Sequence, residues 1–210
     1  MTAEVLRQFT RRPERRGERC ELCDEPLPAE HRHLVDTRQR SLKCVCPACH
    51  LLLDRPGAGQ GRFRAVPGRY LLDESFQLDE RDRSRLQIPV GLAFFFRNSV
   101  LDRLCAFYPS PAGATESELD PQAWDDVLGR TRLAALLEPD VEALLVHQER
   151  GGPTLCALVP VDVCYELVGR MRLHWKGFDG GAEARADLAA FFERVRSAAR
   201  TLPDDPGGAP

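Results

Sequence analysis

The chain has 210 residues, 43% hydrophobic and 29% charged, with a formal net charge of −3. That balance excludes a disordered polyelectrolyte and allows one or two ordinary globular cores. No apolar run reaches the ~20 residues of a membrane helix, Ile88 to Phe96 being too short, and the arginine-rich start has no apolar segment behind it to serve as a secretory signal, so a cytoplasmic protein is expected.

Residues 1–19 are charged and without hydrophobic period, which predicts a short helix or loose tail. A cysteine-rich module is expected over 20–70. Inside it "HRHLVD", "SLKCVC" and "RFRAV" read as short strands of a ribbon, and the Gly/Pro-dense "DRPGAGQG" reads as loop. Charge divides the chain at the same place: residues 1–70 carry +5 and residues 71–210 carry −8.

A second module is expected over 86–201. "LQIPVGLAFFFRN" and "LDRLCAFYPSP" predict two antiparallel strands, and "YPSPAGATESEL" predicts a surface loop, with Ser117 or Asp120 as the cap of the helix that follows. That helix, with Pro121 in its first turn and Trp124, Val127, Leu128, Leu133, Leu136 and Leu137 on its apolar face, should end at Pro139. "EALLVHQ" and "TLCALVP" flank the glycine-containing "ERGGP" as a hairpin. Helices are then expected over "VDVCYELVGRMRLHW" and "AEARADLAAFFERVRSAART", separated by "KGFDGG", with a disordered tail over 202–210. The fold class is α+β: a zinc-ribbon-like module followed by an antiparallel sheet with helices on one face.

Five of the eight cysteines fall between Cys20 and Cys49. Cys105, Cys156 and Cys164 stand alone in apolar surroundings and read as inert core residues. Cys20 and Cys23 form one C-x-x-C pair and Cys46 and Cys49 another, with 22 residues between. A two-residue gap lets both thiolates of a tight turn face one ion, and two such turns complete a tetrahedron. In a reducing compartment this pattern means metal rather than disulfide.

Further donors exceed the four that zinc needs. Cys44 and Cys46 would point to the same side of a strand, so either could pair with Cys49, the C-x-x-C spacing favouring Cys46. His31 and His33 alternate onto one face and could approach the metal, and His50 follows Cys49 directly. A Rieske centre would pair each Cys with a His in its own short loop, which these spacings do not do, but an iron–sulfur cluster on four thiolates stays open. A closed zinc site would be structural; a catalytic one would need a general base, for which Glu30 and Asp36 are the nearby carboxylates and read as loop charges.

The motifs "CELC", "HRHLVD", "CVCPACHLLL", "IPVGLAFFF", "FYPSPAGATESEL", "LEPDVEALLV" and "VPVDVCYELVGRMRLHWKGFDGG" resemble a bacterial family of uncharacterised proteins encoded within nickel–iron hydrogenase gene clusters. The resemblance covers roughly residues 18–195 and departs from the family at "CHLLLD", where an aromatic would be expected after the leucines. It implies an accessory role in making, assembling or wiring a hydrogenase, with protein partners from that system, and it supplies no mechanism.

The residues and the resemblance together give a metal-binding accessory or adaptor protein, zinc being held by Cys20, Cys23, Cys46 and Cys49. The alternative is an electron-transfer protein with an iron–sulfur cluster on the same residues. An enzyme would need convergent polar groups; His147, Asp162 and His174 are the isolated candidates, each reading as a satisfied strand or helix residue. There is no phosphate-binding glycine motif or nucleophile elbow, and "HWKGFDGG" reads as a turn rather than an anion cradle. Basic residues are not interleaved with aromatics, which argues against nucleic acid as a partner.

Overall fold

The sequence "LVDTRQRSL" has an aspartate where a strand must turn back, and its carboxylate does the turning. Asp36 Oδ1 accepts the backbone N–H groups of Arg38 and Gln39 at 3.1 and 3.0 Å, so β1 (Arg32–Asp36) folds onto β2 (Ser41–Val45) in antiparallel register. Its other oxygen takes Arg62 Nε at 2.8 Å and Nη2 at 2.5 Å, which aligns the neighbouring β3 (Phe63–Ala65) on β1. Asp36 is thus a buried structural anion, held below the ordinary carboxylate range chiefly by the Arg62 guanidinium. Glu30 is exposed.

The computed structural model describes residues 17–55, 57–86, 91–110, 113–117, 120–148, 152–175 and 180–202. The charged segment over 1–16, the end of the tail over 203–210, most of "KGFDGG" and the tip of the "ERGGP" connection lie outside them.

Helix α1 (Pro47–Leu53) lies between β2 and β3, and after β3 the chain continues through β4 (Leu71–Leu72), α2 (Glu80–Arg85), β5 (Leu92–Asn98), β6 (Arg103–Ser110) and β7 (Gly113–Ser117). It then forms α3 (Pro121–Val127), α4 (Arg132–Leu136), β8 (Glu142–Gln148), β9 (Thr154–Pro160), α5 (Val161–His174), α6 (Gly181–Ala198) and β10 (Arg200–Thr201). Seven strands make one sheet in the order β10-β4-β9-β8-β5-β6-β7, antiparallel throughout except for the parallel β10–β4 pair. The expected pairs β5–β6 and β8–β9 are both present, and the architecture is α+β.

Alternation along the strands sends side chains to two cores. Phe94, Leu145, Ala157 and Val159 face the long helices α5 and α6, meeting Leu167, Met171, Phe191 and Val195. Phe95, Leu144, Val146 and Leu158 face the opposite way, where the short helices α3 and α4 supply Trp124, Val127 and Leu133 and the loop before β5 supplies Leu86. The long helices therefore cover one face, and short helical turns close the other.

Four details differ from the sequence reading; the first is that Arg200–Thr201, expected as the end of the last helix, lie beyond its close at Ala198 and pair with β4 as β10. Residues 113–117, expected as loop, pair with β6 as an edge strand whose central residues are exposed. The helix expected from 121 to 138 is divided at Gly129 to Thr131, because Thr131 is pulled inward: its hydroxyl donates to Asp73 at 2.6 Å and accepts from Leu133 N–H as the cap of α4. Leu136 is consequently left 41% exposed. Residues 71–85, assigned to neither module, supply β4 and α2, the latter started by a capping box between Asp79 and Asp82. Asp120 caps α3 as expected.

One glycine is dictated by close approach. Gly91 has φ of 66° and its carbonyl accepts Gln148 N–H at 2.7 Å; a Cβ there would lie 2.3 Å from the Gln148 carbonyl oxygen.

The cysteine-rich module is seated on the large sheet. Val35 and Val66 pack on Val141 and Val161. Arg64 donates to the Pro139 carbonyl at 2.6 Å, and Arg69 grips Glu142 through two hydrogen bonds of 2.5 and 2.8 Å.

Candidate metal centre

The first C-x-x-C turn is a miniature hairpin. Cys20 N–H donates to Glu25 O at 2.8 Å and Asp24 N–H donates to Cys20 O at 2.9 Å. Asp24 must take a positive φ of 64°, which a short polar side chain tolerates, and its carboxylate holds Arg19 at 2.8 Å. The second turn is a helix start. Cys46 is the N-cap of α1, Pro47 occupies the first helical turn, and Cys46 Sγ accepts Cys49 N–H at 3.5 Å.

Glu21, between the two cysteines of the first turn, clamps the turns together. Its N–H donates to Cys44 O at 3.0 Å, and its carboxylate accepts Cys44 N–H at 2.7 Å and Lys43 Nζ at 3.2 Å. Sequence reasoning gave Glu21 no role; a lone carboxylate inside C-x-x-C carries no signal until the register is known.

The outcome is that Cys20, Cys23, Cys46 and Cys49 lie together, each sulfur within 4.8 Å of the others, with Cys23 Sγ and Cys46 Sγ 3.6 Å apart. Metal–sulfur bonds of about 2.3 Å in a tetrahedron put neighbouring sulfurs about 3.8 Å apart, so the spacing suits one ion. None of the eight cysteines is in a disulfide. Cys20 and Cys46 are buried, Cys49 is half-buried and Cys23 is exposed.

The electrostatics of the four thiols are uneven. Burial raises Cys20, but backbone hydrogen bonds from Cys46, Leu22 and Cys23 prevail and bring it down to about 6. Burial, and then hydrogen bonding to the other three thiols, pushes Cys49 well up. Cys20 thus gives up its proton readily while Cys49 holds its own, a conflict that a bound cation removes by taking the sulfurs as thiolates.

The surplus donors go elsewhere. Because β2 ends at Val45 and the chain turns into α1, Cys44 does not share the side of Cys46 as strand alternation would require. Cys44 is opposite His33 in the β1–β2 register, and His31, His33 and Cys44 form a second group of donors within 4.8 Å of one another. Burial, then the carboxylates of Glu18 and Glu21, raise the Cys44 thiol. His50 belongs to neither group among the described residues; burial lowers its pKa, keeping it neutral, and its Nε2 is buried without a partner.

The isolated candidates for catalysis have structural partners. The Asp162 carboxylate accepts a hydrogen bond from His33 Nδ1 at 2.8 Å, His147 stacks on Phe192 at 3.9 Å between ring centres, and His174 Nδ1 is 3.3 Å from Glu183. None of the three lines the cleft of about 600 Å³ between the β1–β2 turn and the large sheet, whose walls include Phe94, Phe96, Phe107, Arg40 and Arg172. Its volume is that of a small-molecule site. The sequence reading missed it because its walls come from both modules.

Cys105, Cys156 and Cys164 are 3%, 0% and 1% exposed, and burial pushes Cys156 up to about 12 and raises Cys105 and Cys164 as well. Iodoacetamide at neutral pH should therefore leave these three unmodified in the folded protein and alkylate them after denaturation, as read by peptide mass spectrometry.

A four-thiol centre carried on a small three-stranded sheet, itself seated on an α+β sheet, defines a protein with a candidate metal site. The chain belongs to a family of unknown function, DUF5947, whose match spans residues 19–199. No curated protein and no solved structure matches it. Among the described residues no helix is long and apolar enough to cross a membrane.

Proposed function

We propose that this protein is a metal-binding accessory or adaptor of a nickel–iron hydrogenase system, with one zinc ion held by Cys20, Cys23, Cys46 and Cys49. The observation that carries the metal reading is the convergence of four sulfurs within 4.8 Å. Zinc is favoured over an iron–sulfur cluster by that distance, since a cluster places several irons and sulfides between the cysteine sulfurs and spreads them farther apart than a single ion does. The small apolar content around the thiols favours a structural ion, because two of the four buried residues there, Cys20 and Cys46, are themselves ligands.

The hydrogenase association is supported by the resemblance of the motifs between residues 18 and 195. The cleft between the modules and the surface of the α+β sheet supply places for a partner. Electron transfer is the second reading, favoured by the exposure of Cys23 at the edge of the site.

Tagged protein purified anaerobically from cells with and without a nickel–iron hydrogenase tests both parts. The expected preparation is colourless, contains zinc, and retains hydrogenase subunits or maturation proteins only from the first cells. A brown preparation with stoichiometric iron and sulfide would overturn zinc, and identical co-purifying proteins from both cells would overturn the association.

A further inference from the structure

We propose that His31, His33 and Cys44 form a second metal site, separate from the four-thiol centre, that takes a thiophilic transition-metal ion on two imidazoles and one thiolate and leaves a coordination position open. The three donors lie within 4.8 Å of one another. His33 and Cys44 face each other across the β1–β2 register, and the His31 and His33 rings are 4.8 Å apart, tilted by 59°.

Each imidazole is already oriented as a metal ligand would be. A ligating histidine gives its second nitrogen to a carboxylate or a backbone carbonyl, which fixes the tautomer and directs the free nitrogen at the metal. Both arrangements occur here: His33 Nδ1 meets Asp162 at 2.8 Å, and His31 Nδ1 meets the Pro28 carbonyl at 3.1 Å. Nε2 is the nitrogen left over on each ring. On His31, whose side chain is only 6% exposed, Nε2 is buried and has no hydrogen-bond partner. An orphaned imidazole nitrogen in the interior costs free energy that a metal ion would recover.

Zinc–nitrogen bonds of about 2.0 Å and a zinc–sulfur bond of about 2.3 Å put tetrahedral donors about 3.3 to 3.5 Å apart, so the three donors need to close by at most about 1.5 Å, within reach of side-chain rotation. Two imidazoles and one thiolate suit zinc or copper rather than magnesium or calcium. With three protein ligands, the fourth position falls to solvent or to an exogenous ligand, on the side where His33 is 20% exposed. The carboxylate that orients His33 comes from the first turn of α5 in the other module, so the site joins the two modules. Asp162 is a positioning residue here.

The inference stands apart from the four-thiol reading, since the two sets share no residue. The test is anaerobic titration of the full-length apo protein with cobalt(II), read by its visible and sulfur-to-metal charge-transfer bands. Two equivalents should bind with distinct spectra. Cys44→Ser and His31→Ala should each abolish the second and keep the tetrathiolate spectrum, while Cys23→Ser should alter only the first. Asp162→Asn should weaken the second ion by about 10- to 100-fold without moving the first. Azide should shift only the second spectrum. A single equivalent that Cys44→Ser and His31→Ala leave untouched would overturn the proposal, as would tetrathiolate bands that change in Cys44→Ser. If His31→Ala loses both ions by misfolding, Asp162→Asn decides: unchanged affinity for both ions would also overturn it.

Discussion

Stripping the metal with excess chelator is expected to open the two C-x-x-C turns while the seven-stranded sheet stays folded. The buried core around the thiols consists of Cys20, Leu34, Val45 and Cys46. Two of these four are thiols of the site, and the other apolar groups packed on them, Leu27, Leu53, Phe63 and Ala65, are only partly buried, so the two turns have little apolar burial of their own to hold them. Structural zinc supplies apparent free energies of about 10 to 16 kcal/mol in small zinc-binding peptides, so its removal should release them. Hydrogen–deuterium exchange should show the amides of Cys20, Asp24, Cys49 and His50, which close the turns, losing protection on chelation. Amides between β8 and β9 should be unchanged, and those of β1 near Val35 should respond least within the module, because Val35 packs on Val141 and Val161. Equal protection with and without metal would show that the site is not structural.

The second large effect is expected at Arg69. Glu142 opens β8 with its side chain fully buried, accepting Arg69 Nε and Nη2 and the Glu138 N–H. Arg69→Ala removes the cation and leaves the carboxylate in place, the arrangement that costs most because a buried charge is then unpaired. A loss of about 3 kcal/mol is expected, the lower end of the range for such deletions since Arg69 is itself 39% exposed. Adding Glu142→Gln should recover part of that loss by removing the charge. Urea denaturation monitored by circular dichroism would measure both, and a double variant less stable than Arg69→Ala would contradict the assignment. Arg69 also donates to the Leu136 carbonyl, so the same substitution should loosen the seat of the cysteine-rich module.

What the sequence could disclose depended on whether a signal was local. The C-x-x-C turns, the Asp120 cap and the β5–β6 and β8–β9 pairs are written in a few adjacent residues each, and the structure contains them. Residues 113–117 were hidden because the Gly, Ser and Thr of this stretch are loop-like in composition; as an edge strand they need no apolar alternation. β4 and β10 are two residues long and pair between segments far apart in the chain, so no periodicity could announce them. The break at Thr131 follows from a hydrogen bond to Asp73, 58 residues away. Alternation placed His31 and His33 on one face, yet Cys44 joins them only through the register of β1 on β2, and Asp162 arrives from 129 residues along the chain. Cys44 was misdirected toward Cys46 by a strand that stops one residue too soon.

The central claim is that one metal ion sits among Cys20, Cys23, Cys46 and Cys49. X-ray absorption at the metal edge of the Cys44→Ser protein, purified anaerobically with the four thiols as the remaining site, addresses it directly. The expected first shell is four sulfurs at about 2.3 Å with no second metal nearby. A metal–metal distance, a shell dominated by nitrogen or oxygen, or protein that folds fully without any metal would contradict it.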